Sequence, residues 1–156
     1  MSETARRREA KYDVLFEPIQ LGPKTLKNRF WQVPQCNGAG SDKPGMQAMF
    51  RGMKAEGGWG AVFTEVCQIA PGADVSPWVS VRLWDQGDVQ NLRLMTEEIH
   101  KHGGLAGVEL CHAGGLAANA ESRAPAKVVS QIASDINYLA NGRELSAREI
   151  RELQRE

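Results

Sequence analysis

The feature that most constrains the fold is a regular alternation of apolar segments with segments of helical periodicity. The segments RFWQVPQ, GAVFTEVCQI and LAGVELC are typical of buried strands, and helical segments separate them. Strands that alternate with helices indicate a parallel sheet with right-handed crossovers. Two architectures satisfy this order: a doubly wound open sheet, and the first part of an eightfold βα barrel. A closed barrel takes about 250 residues, so a chain of 156 residues would supply only its first units.

Two helices are predicted between these strands. The first begins at Pro44, which suits the first turn of a helix, and ends at Gly57. Its apolar residues recur at helical spacing and predict a face packed in the core: Met46, Met49, Phe50 and Met53. Asp88 predicts the N-cap of the second helix, which ends at Gly103. The apolar face of the second helix holds Leu92, Met95 and Ile99.

The segments before and after these strands and helices also predict secondary structure. Residues 16–30 predict a small hairpin that turns at Gly22 and Pro23. A long loop of roughly thirty residues follows the third strand. Ser146 and Glu149 then form the S-x-x-E pattern of a capping box, which predicts a last helix. The sequence ends inside this charged helix, which favours a truncated barrel.

Composition and charge exclude several classes of protein. Lys and Arg number 19 and Asp and Glu also number 19, so no net field favours nucleic acid or an anionic membrane. No apolar run has the length of a membrane span, and no apolar segment follows the N-terminal arginines as in a secretory signal. We predict a disordered tail over residues 1–11. Three cysteines without C-x-x-C spacing predict reduced thiols and a cytoplasmic location.

The stretch VPQCNGAGSDKPG raises the hypothesis of a dinucleotide-binding loop. Gly38 and Gly40 follow a strand and precede a helix, and Glu65 lies at the end of the next strand. A dinucleotide fingerprint, however, requires a third glycine where this sequence has Lys43. The match is therefore weak.

Polar and reactive residues gather at the ends of the three predicted strands. They are Cys36, Glu65, Cys67, Glu109, Cys111 and His112. In parallel βα proteins the carboxyl ends of the strands form the edge where ligands bind. These residues lack the pair spacing of a metal site, so no metal is predicted. We expect the chemistry of this protein at that edge of the sheet.

Several segments together carry a resemblance to a known family. VPQCNGAGSDKPG is the most specific of them, and KAEGGWGAVFTEVC, WDQGDVQNL, GGLAGVELCHAGG and ESRAP accompany it. The sequence resembles the N-terminal part of the old yellow enzyme family, the NADH:flavin oxidoreductase/NADH oxidase type, and within it the amine dehydrogenases. These are FMN-dependent βα-barrel oxidoreductases. The resemblance implies that residues 12–156 form the N-terminal portion of an FMN-binding TIM (β/α)8 barrel.

The resemblance implies roles for individual residues around the flavin. Val33 and Pro34 match the end of the first barrel strand, which lies against the isoalloxazine ring. Cys36 matches a cysteine that forms a thioether to carbon 6 of the flavin in the amine dehydrogenases. In some ene-reductases of the family a cysteine at this position stays unlinked and tunes the flavin potential. Whether Cys36 is linked is therefore open.

Two further strand ends carry implied contacts to the flavin. Val66 matches a residue whose backbone N–H binds the O4 edge, and Glu109 matches the residue that accepts from N3–H. His112 matches the histidine of an H-x-G-R motif, but Gly115 stands where that motif has arginine. The amine dehydrogenases also lack this arginine, so the departure favours their branch.

The resemblance also bears on substrate and partners. Members that oxidise trimethylamine have a tyrosine at the position of Val66, in an aromatic cage that attracts ammonium groups. A valine there favours a different secondary or tertiary amine.

The catalytic residues, and any 4Fe-4S cluster, are expected beyond Glu156. An electron-transfer flavoprotein or NAD(P)H is the expected electron partner, and the full-length enzyme is expected to be a homo-oligomer. The alternatives are an NAD(P)H-dependent ene-reductase and an inactive truncated fragment.

Overall fold

The computed structural model describes residues 9–117, 120–130 and 142–155. The first elements are a 3₁₀ helix (Ala10–Phe16) and the strands β1 (Ile19–Leu21), β2 (Lys24–Leu26) and β3 (Trp31–Gln32). The central elements are α1 (Pro44–Glu56), β4 (Ala61–Gln68), β5 (Val81–Arg82), α2 (Gln86–Lys101) and β6 (Leu105–Cys111). The last are a 3₁₀ turn (Gly114–Leu116), β7 (Lys127–Val128), β8 (Arg143–Glu144) and α3 (Ala147–Leu153). The predicted tail covers residues 1–11, and residues 1–8 of it lie outside the described residues.

Strand β4 is the centre of a parallel sheet. It pairs with β6 along one side, and with β3 and then β5 along the other. Helices α1 and α2 pack against each other and cover one face of this sheet. The core between them consists of Ala48, Ala55, Val62, Cys67, Val81, Leu92, Met95 and Ile99. The predicted order of parallel strands and helices is therefore confirmed.

The predicted apolar face of α1 is wrong. Met46, Met49 and Met53 are 52%, 70% and 59% exposed, and only Phe50 of the predicted face is half-buried. The buried face instead carries Gln47, Ala48, Arg51, Gly52 and Ala55. Small residues are needed there because the helices approach closely: a Cβ on Gly52 would lie 3.1 Å from the Cβ of Glu98. The spacing of the methionines predicted the helix correctly but not which of its faces is buried.

The predicted start of α2 also requires correction. The N-cap is Asp85, three residues earlier than Asp88, and its side chain accepts a hydrogen bond from the Asp88 N–H at 3.0 Å. The Asp88 carboxylate in turn accepts from the Trp84 N–H at 3.3 Å. The two aspartates thus satisfy backbone donors on both sides of the helix start.

The remaining predictions have mixed outcomes. The hairpin at Gly22, the start of α1 at Pro44 and the capping box of Ser146 with Glu149 are confirmed. The first strand is shorter than its apolar segment, because only Trp31–Gln32 pairs with β4. Strands β5, β7 and β8 were not predicted, since each is two residues long. No described helix has the length and apolar character required to span a membrane.

Candidate active site

The inner face of the sheet, opposite α1 and α2, brings three of the predicted site residues together. Val66 in β4 and Glu109 in β6 are paired neighbours in the parallel ladder, so their side chains project from the same face. Val33 follows β3 directly and is 64% exposed. Trp31, two residues earlier, lies against the Phe63 ring with centroids 5.5 Å apart. The three strands therefore form one open apolar surface with a carboxylate at its edge.

Glu109 places an available acceptor on this surface. Its backbone N–H donates to the Thr64 hydroxyl at 3.1 Å, which fixes the end of β6 against β4. Within the described residues no hydrogen bond or ion pair engages the Glu109 carboxylate, and the residue is exposed. The carboxylate is thus free to accept from a donor of a bound ligand.

Cys36 lies in the loop after β3, beside the same surface. The residue is exposed, and the Val66 backbone N–H is near enough to its thiol to lower the pKa of that thiol. Partial burial raises the pKa of the Cys36 thiol, and the carboxylates of Glu65 and Glu109 raise it further. The Val66 N–H and the Arg51 guanidinium lower the pKa without reversing the net rise. In this structure Cys36 is therefore a protonated thiol at neutral pH.

A buried polar network underlies the Cys36 loop. The Arg51 guanidinium donates to the Gln32 side chain at 2.9 Å and to the Gln35 carbonyl at 2.5 Å. The Glu65 carboxylate accepts from the Asn37 N–H at 3.1 Å. Sequence reasoning missed Arg51. The available signal was a charged residue at helical spacing from Ala48 and Ala55, between small residues that suit a packed face.

The glycines of this loop serve the backbone rather than a phosphate. Gly38 has φ +71°, in the left-handed region that glycine adopts without strain. A Cβ on Gly40 would lie 2.1 Å from the Val79 carbonyl oxygen, so two backbone segments meet there. Glu65, the acidic residue of the dinucleotide hypothesis, is fully buried and bound to the Asn37 N–H. The close backbone contact at Gly40 and the burial of Glu65 contradict a dinucleotide loop.

Among the other candidate residues at the strand ends, Cys111 lies two residues after Glu109 in β6 and shares its face, whereas Cys67 does not. Cys67 is fully buried in the core on the face opposite Val66, and burial raises the pKa of its thiol to about 12. Cys111 is half-buried, and burial followed by the Glu109 charge raises its pKa. Nδ1 of His112 accepts from the Gly114 N–H at 3.1 Å. In the part of the chain that the structure describes, no three His, Cys, Asp or Glu side chains could hold a metal.

The class of protein follows from a comparison with known families. Residues 14–156 match the NADH:flavin oxidoreductase / NADH oxidase family, and the chain belongs to it. The chain is similar to dimethylamine dehydrogenase of Hyphomicrobium sp. (strain x), with 52% identity over 128 residues. This match covers 82% of the chain and 17% of that protein. NADPH dehydrogenase of Listeria welshimeri is 32% identical over 104 residues, which are 64% of the chain and 30% of that protein.

Solved structures agree with this family. Histamine dehydrogenase from Rhizobium sp. 4-9 superposes with a TM-score of 0.86 at 38% identity, over 95% of this chain and 23% of that one. The old yellow enzyme homologue from Zymomonas mobilis has a TM-score of 0.79 at 22% identity, over 89% of this chain and 41% of that one. The second likeness shows the fold alone. The elements described above are therefore the first units of a TIM (β/α)8 barrel.

The chain spans about a fifth of the length of the amine dehydrogenases it matches, 17% of one and 23% of the other. The site described above is accordingly one side of the carboxyl end of a barrel.

The residues on this side fit a flavin in their chemistry. Val33 and Val66 provide apolar surface for a planar ring system, and Glu109 provides the acceptor that a ring N–H requires. The Cys36 thiol lies next to Val66, at the border of that surface. Apolar contact, one carboxylate acceptor and one thiol thus share a single face.

Proposed function

We propose that the protein is an FMN-dependent oxidoreductase of the amine dehydrogenase type, acting on a secondary or tertiary amine. The observation that carries this proposal is the 52% identity to a dimethylamine dehydrogenase over most of the chain. The placement of Cys36, Val66 and Glu109 around one open surface supports it independently. FMN, when bound, would accept a hydride equivalent from the carbon next to the substrate nitrogen, and the oxidised amine would then hydrolyse.

The residues of this chain would hold and orient the cofactor. Val33, Pro34 and Val66 would pack against the ring system, and the Glu109 carboxylate would accept from the N3–H. The Val66 backbone N–H would bind the O4 edge, and the same N–H is near enough to Cys36 to lower the pKa of its thiol. The Cys36 thiol would then meet the rim of the ring.

We further propose that Cys36 holds the flavin through a thioether to carbon 6. Forming this bond would release the thiol proton and the hydrogen on carbon 6 as protons, and the two electrons would pass to an acceptor such as dioxygen. The test is denaturing electrophoresis of the full-length enzyme, followed by flavin fluorescence and absorbance of the protein band. We expect the flavin to stay with the wild-type band and to be lost from Cys36→Ala. Cys111→Ala, another cysteine at a strand end, is the matched control and should keep it. Loss of flavin from the wild-type band would leave Cys36 as an unlinked modulator.

Substrate choice is the next part of the proposal. Val66 lacks the aromatic face that attracts a fully methylated ammonium group, an attraction of about 0.5–2 kcal/mol for each ring. We therefore expect kcat/KM of the full-length enzyme to be higher for a secondary amine than for trimethylamine. Val66→Tyr should raise kcat/KM for trimethylamine relative to dimethylamine, and Val66→Leu should not. An unchanged ratio in Val66→Tyr would count against this role.

The alternative function is an ene-reductase that takes its hydride from NAD(P)H. The 32% identity to an NADPH dehydrogenase supports it as a more distant relationship. Anaerobic mixing of the full-length enzyme with NADPH and, separately, with dimethylamine distinguishes the two. Bleaching of the flavin band by the amine alone supports the dehydrogenase, with an electron-transfer flavoprotein as the natural acceptor. Bleaching by NADPH alone supports the reductase.

A further inference from the structure

Two buried side chains of opposite charge reach the segment around Cys36 from two different elements. Arg51 extends from α1 and Glu65 from β4, and both are fully buried. Removing charges from water is costly, and well-packed apolar residues often stabilise a protein as well as a buried pair does. Stability alone therefore does not account for both charges beneath one short loop.

Arg51 binds the segment on the amino-terminal side of the cysteine. Its Nη2 donates to the Gln35 carbonyl at 2.5 Å, one residue before Cys36. Its Nη1 donates to the side chain of Gln32, which is also buried, at 2.9 Å. The planar guanidinium thus joins α1 to the end of β3 in a fixed geometry, which a lysine would not reproduce.

Glu65 binds the segment on the carboxyl-terminal side. One carboxylate oxygen accepts from the Asn37 N–H at 3.1 Å, one residue after Cys36. The other accepts from the Val81 N–H at 3.3 Å, at the start of β5. The carboxylate thus joins the loop to two strands of the sheet, and its charge satisfies buried backbone donors.

We propose that Arg51 and Glu65 are positioning residues, which bind the peptide on both sides of Cys36 and place opposite charges near its thiol. The Cys36 peptide then has little freedom, although the residue itself is exposed. The thiol is thereby kept near Val66, at the border of the apolar surface. This inference relies on the proposed function only in taking Cys36 as the thiol that faces the flavin.

The same arrangement places opposite charges around the thiol. From β4 the Glu65 carboxylate raises the pKa of Cys36, from β6 Glu109 raises it as well, and from α1 Arg51 lowers it. Cys111 also lies within electrostatic range of Cys36. Removing one member of the buried pair should therefore shift the reactivity of Cys36 in a direction set by that member's charge.

The test measures the alkylation of Cys36 by iodoacetamide against pH in the 156-residue chain without flavin, with each cysteine followed by peptide mass spectrometry. The variants are Glu65→Gln, Arg51→Gln and Arg51→Lys. Lys43→Met is the matched control, because the exposed Lys43 binds the same loop at the Gly38 carbonyl, 3.2 Å away. The buried Cys67 reports in every variant whether the fold is intact.

We expect opposite shifts from the two neutral variants. Glu65→Gln should lower the pKa of Cys36 and speed its alkylation at neutral pH by about 3- to 10-fold, or half to one pKa unit. Arg51→Gln should slow alkylation by a similar factor, and Arg51→Lys should recover part of the difference. Lys43→Met should match the wild type within about twofold.

A purely structural role predicts a different pattern. If the two residues only kept the loop folded, both neutral variants would release it, and both would speed alkylation towards that of a free thiol. Shifts in the same direction, or shifts no larger than that of Lys43→Met, would overturn the proposal.

If the single variants do not fold, the double variant Arg51→Gln/Glu65→Gln is measured instead. It removes both buried charges, so neither is left without the other. If Cys67 is protected from alkylation in the double variant but not in the single variants, the result supports a coupled pair. Exposure of Cys67 in the double variant as well would overturn the positioning role, because the pair would then be a requirement of the fold. Failure of the thioether test in the full-length enzyme leaves these alkylation results unaffected.

Discussion

Cys36 and Cys67 are both cysteines at the carboxyl ends of neighbouring strands, yet the fold gives them opposite environments. Cys36 is exposed in the loop after β3, beside the inner face of the sheet. Cys67 is fully buried in the core under α1 and α2, and the pKa of its thiol is raised to about 12. Val66 and Cys67 are adjacent in β4 and project to opposite faces. One residue along β4 therefore separates the face near Cys36 from the core that buries Cys67.

The supports of the two cysteines differ as well. Cys67 is held by packing among apolar side chains, and in the described part of the chain its thiol makes no hydrogen bond. The Cys36 peptide is held by hydrogen bonds from two buried charges and by close backbone packing at Gly40. Perturbations of the loop should consequently affect Cys36 and leave Cys67 protected, unless the whole domain unfolds.

The largest expected difference between the two cysteines is in thiol reactivity. The thiolate is the nucleophile, and each pKa unit changes its fraction at a given pH by about tenfold. We expect alkylation of Cys67 at pH 8 to be at least about 100-fold slower than that of Cys36. Peptide mass spectrometry after timed iodoacetamide treatment measures both rates in one sample. Equal rates in the folded protein would contradict the placement of Cys67 in the core.

The second expected effect is a loss of stability at high pH. The pKa of Cys67 is raised from 9.0 to about 12, so the folded state keeps its proton while the unfolded chain releases it. Stability from this thiol is complete below about pH 9 and falls as pH rises towards 12. Denaturant unfolding between pH 8 and 11 measures the slope. Cys67→Ala should be less stable at pH 8 through lost packing but should show a shallower decline.

The third effect concerns the backbone contact that holds the Cys36 loop. A Cβ on Gly40 would lie 2.1 Å from the Val79 carbonyl oxygen, so Gly40→Ala must displace backbone. We expect a loss of about 3 kcal/mol in the free energy of unfolding, measured with urea. Gly45→Ala is the control, because a Cβ there meets no atom within 4 Å and alanine favours the helix. Similar stabilities of the two variants would show that the loop does not pack against Val79.

The smallest effect is expected at the turn after Cys36. Gly38 has φ +71°, and a Cβ added there would meet no atom within 4 Å, so Gly38→Ala should cost only the strain of the left-handed conformation. We expect a loss of about 1–2 kcal/mol in unfolding free energy. Gly38→Asn should cost less, because asparagine tolerates this conformation better. If Gly38→Ala lost more unfolding free energy than Gly40→Ala, the close backbone contact would not be the more important of the two constraints.

Much of the fold was predictable from local patterns. The apolar segments for β4 and β6 and the helical segments for α1 and α2 agree with the structure to within a few residues. Strand β5 was not predictable, because two residues carry no period and the Val81 N–H is bound by Glu65, which is distant in the sequence. The buried face of α1 was not predictable either, since methionines at helical spacing suit a core as well as an exposed face.

The candidate site was predictable in part. The positions of Val33, Pro34, Cys36, Val66 and Glu109 followed from the family resemblance, and their roles towards the flavin stay predictions. Arg51 was missed because an arginine in an amphipathic helix is ordinarily a solvated residue. Only the closing of the chain brings it beneath the loop, where its guanidinium meets the Gln35 carbonyl.

The sequence by itself determined the alternation of strands and helices, the family, and the candidate residues at the strand ends. These properties depend on residue types and spacings along the chain. The tertiary structure decided which cysteine is exposed, which face of α1 is buried, and that Arg51 and Glu65 hold the Cys36 loop. The physical reason is that burial and buried charge contacts depend on segments distant in the sequence, which meet only when the sheet and its helices pack.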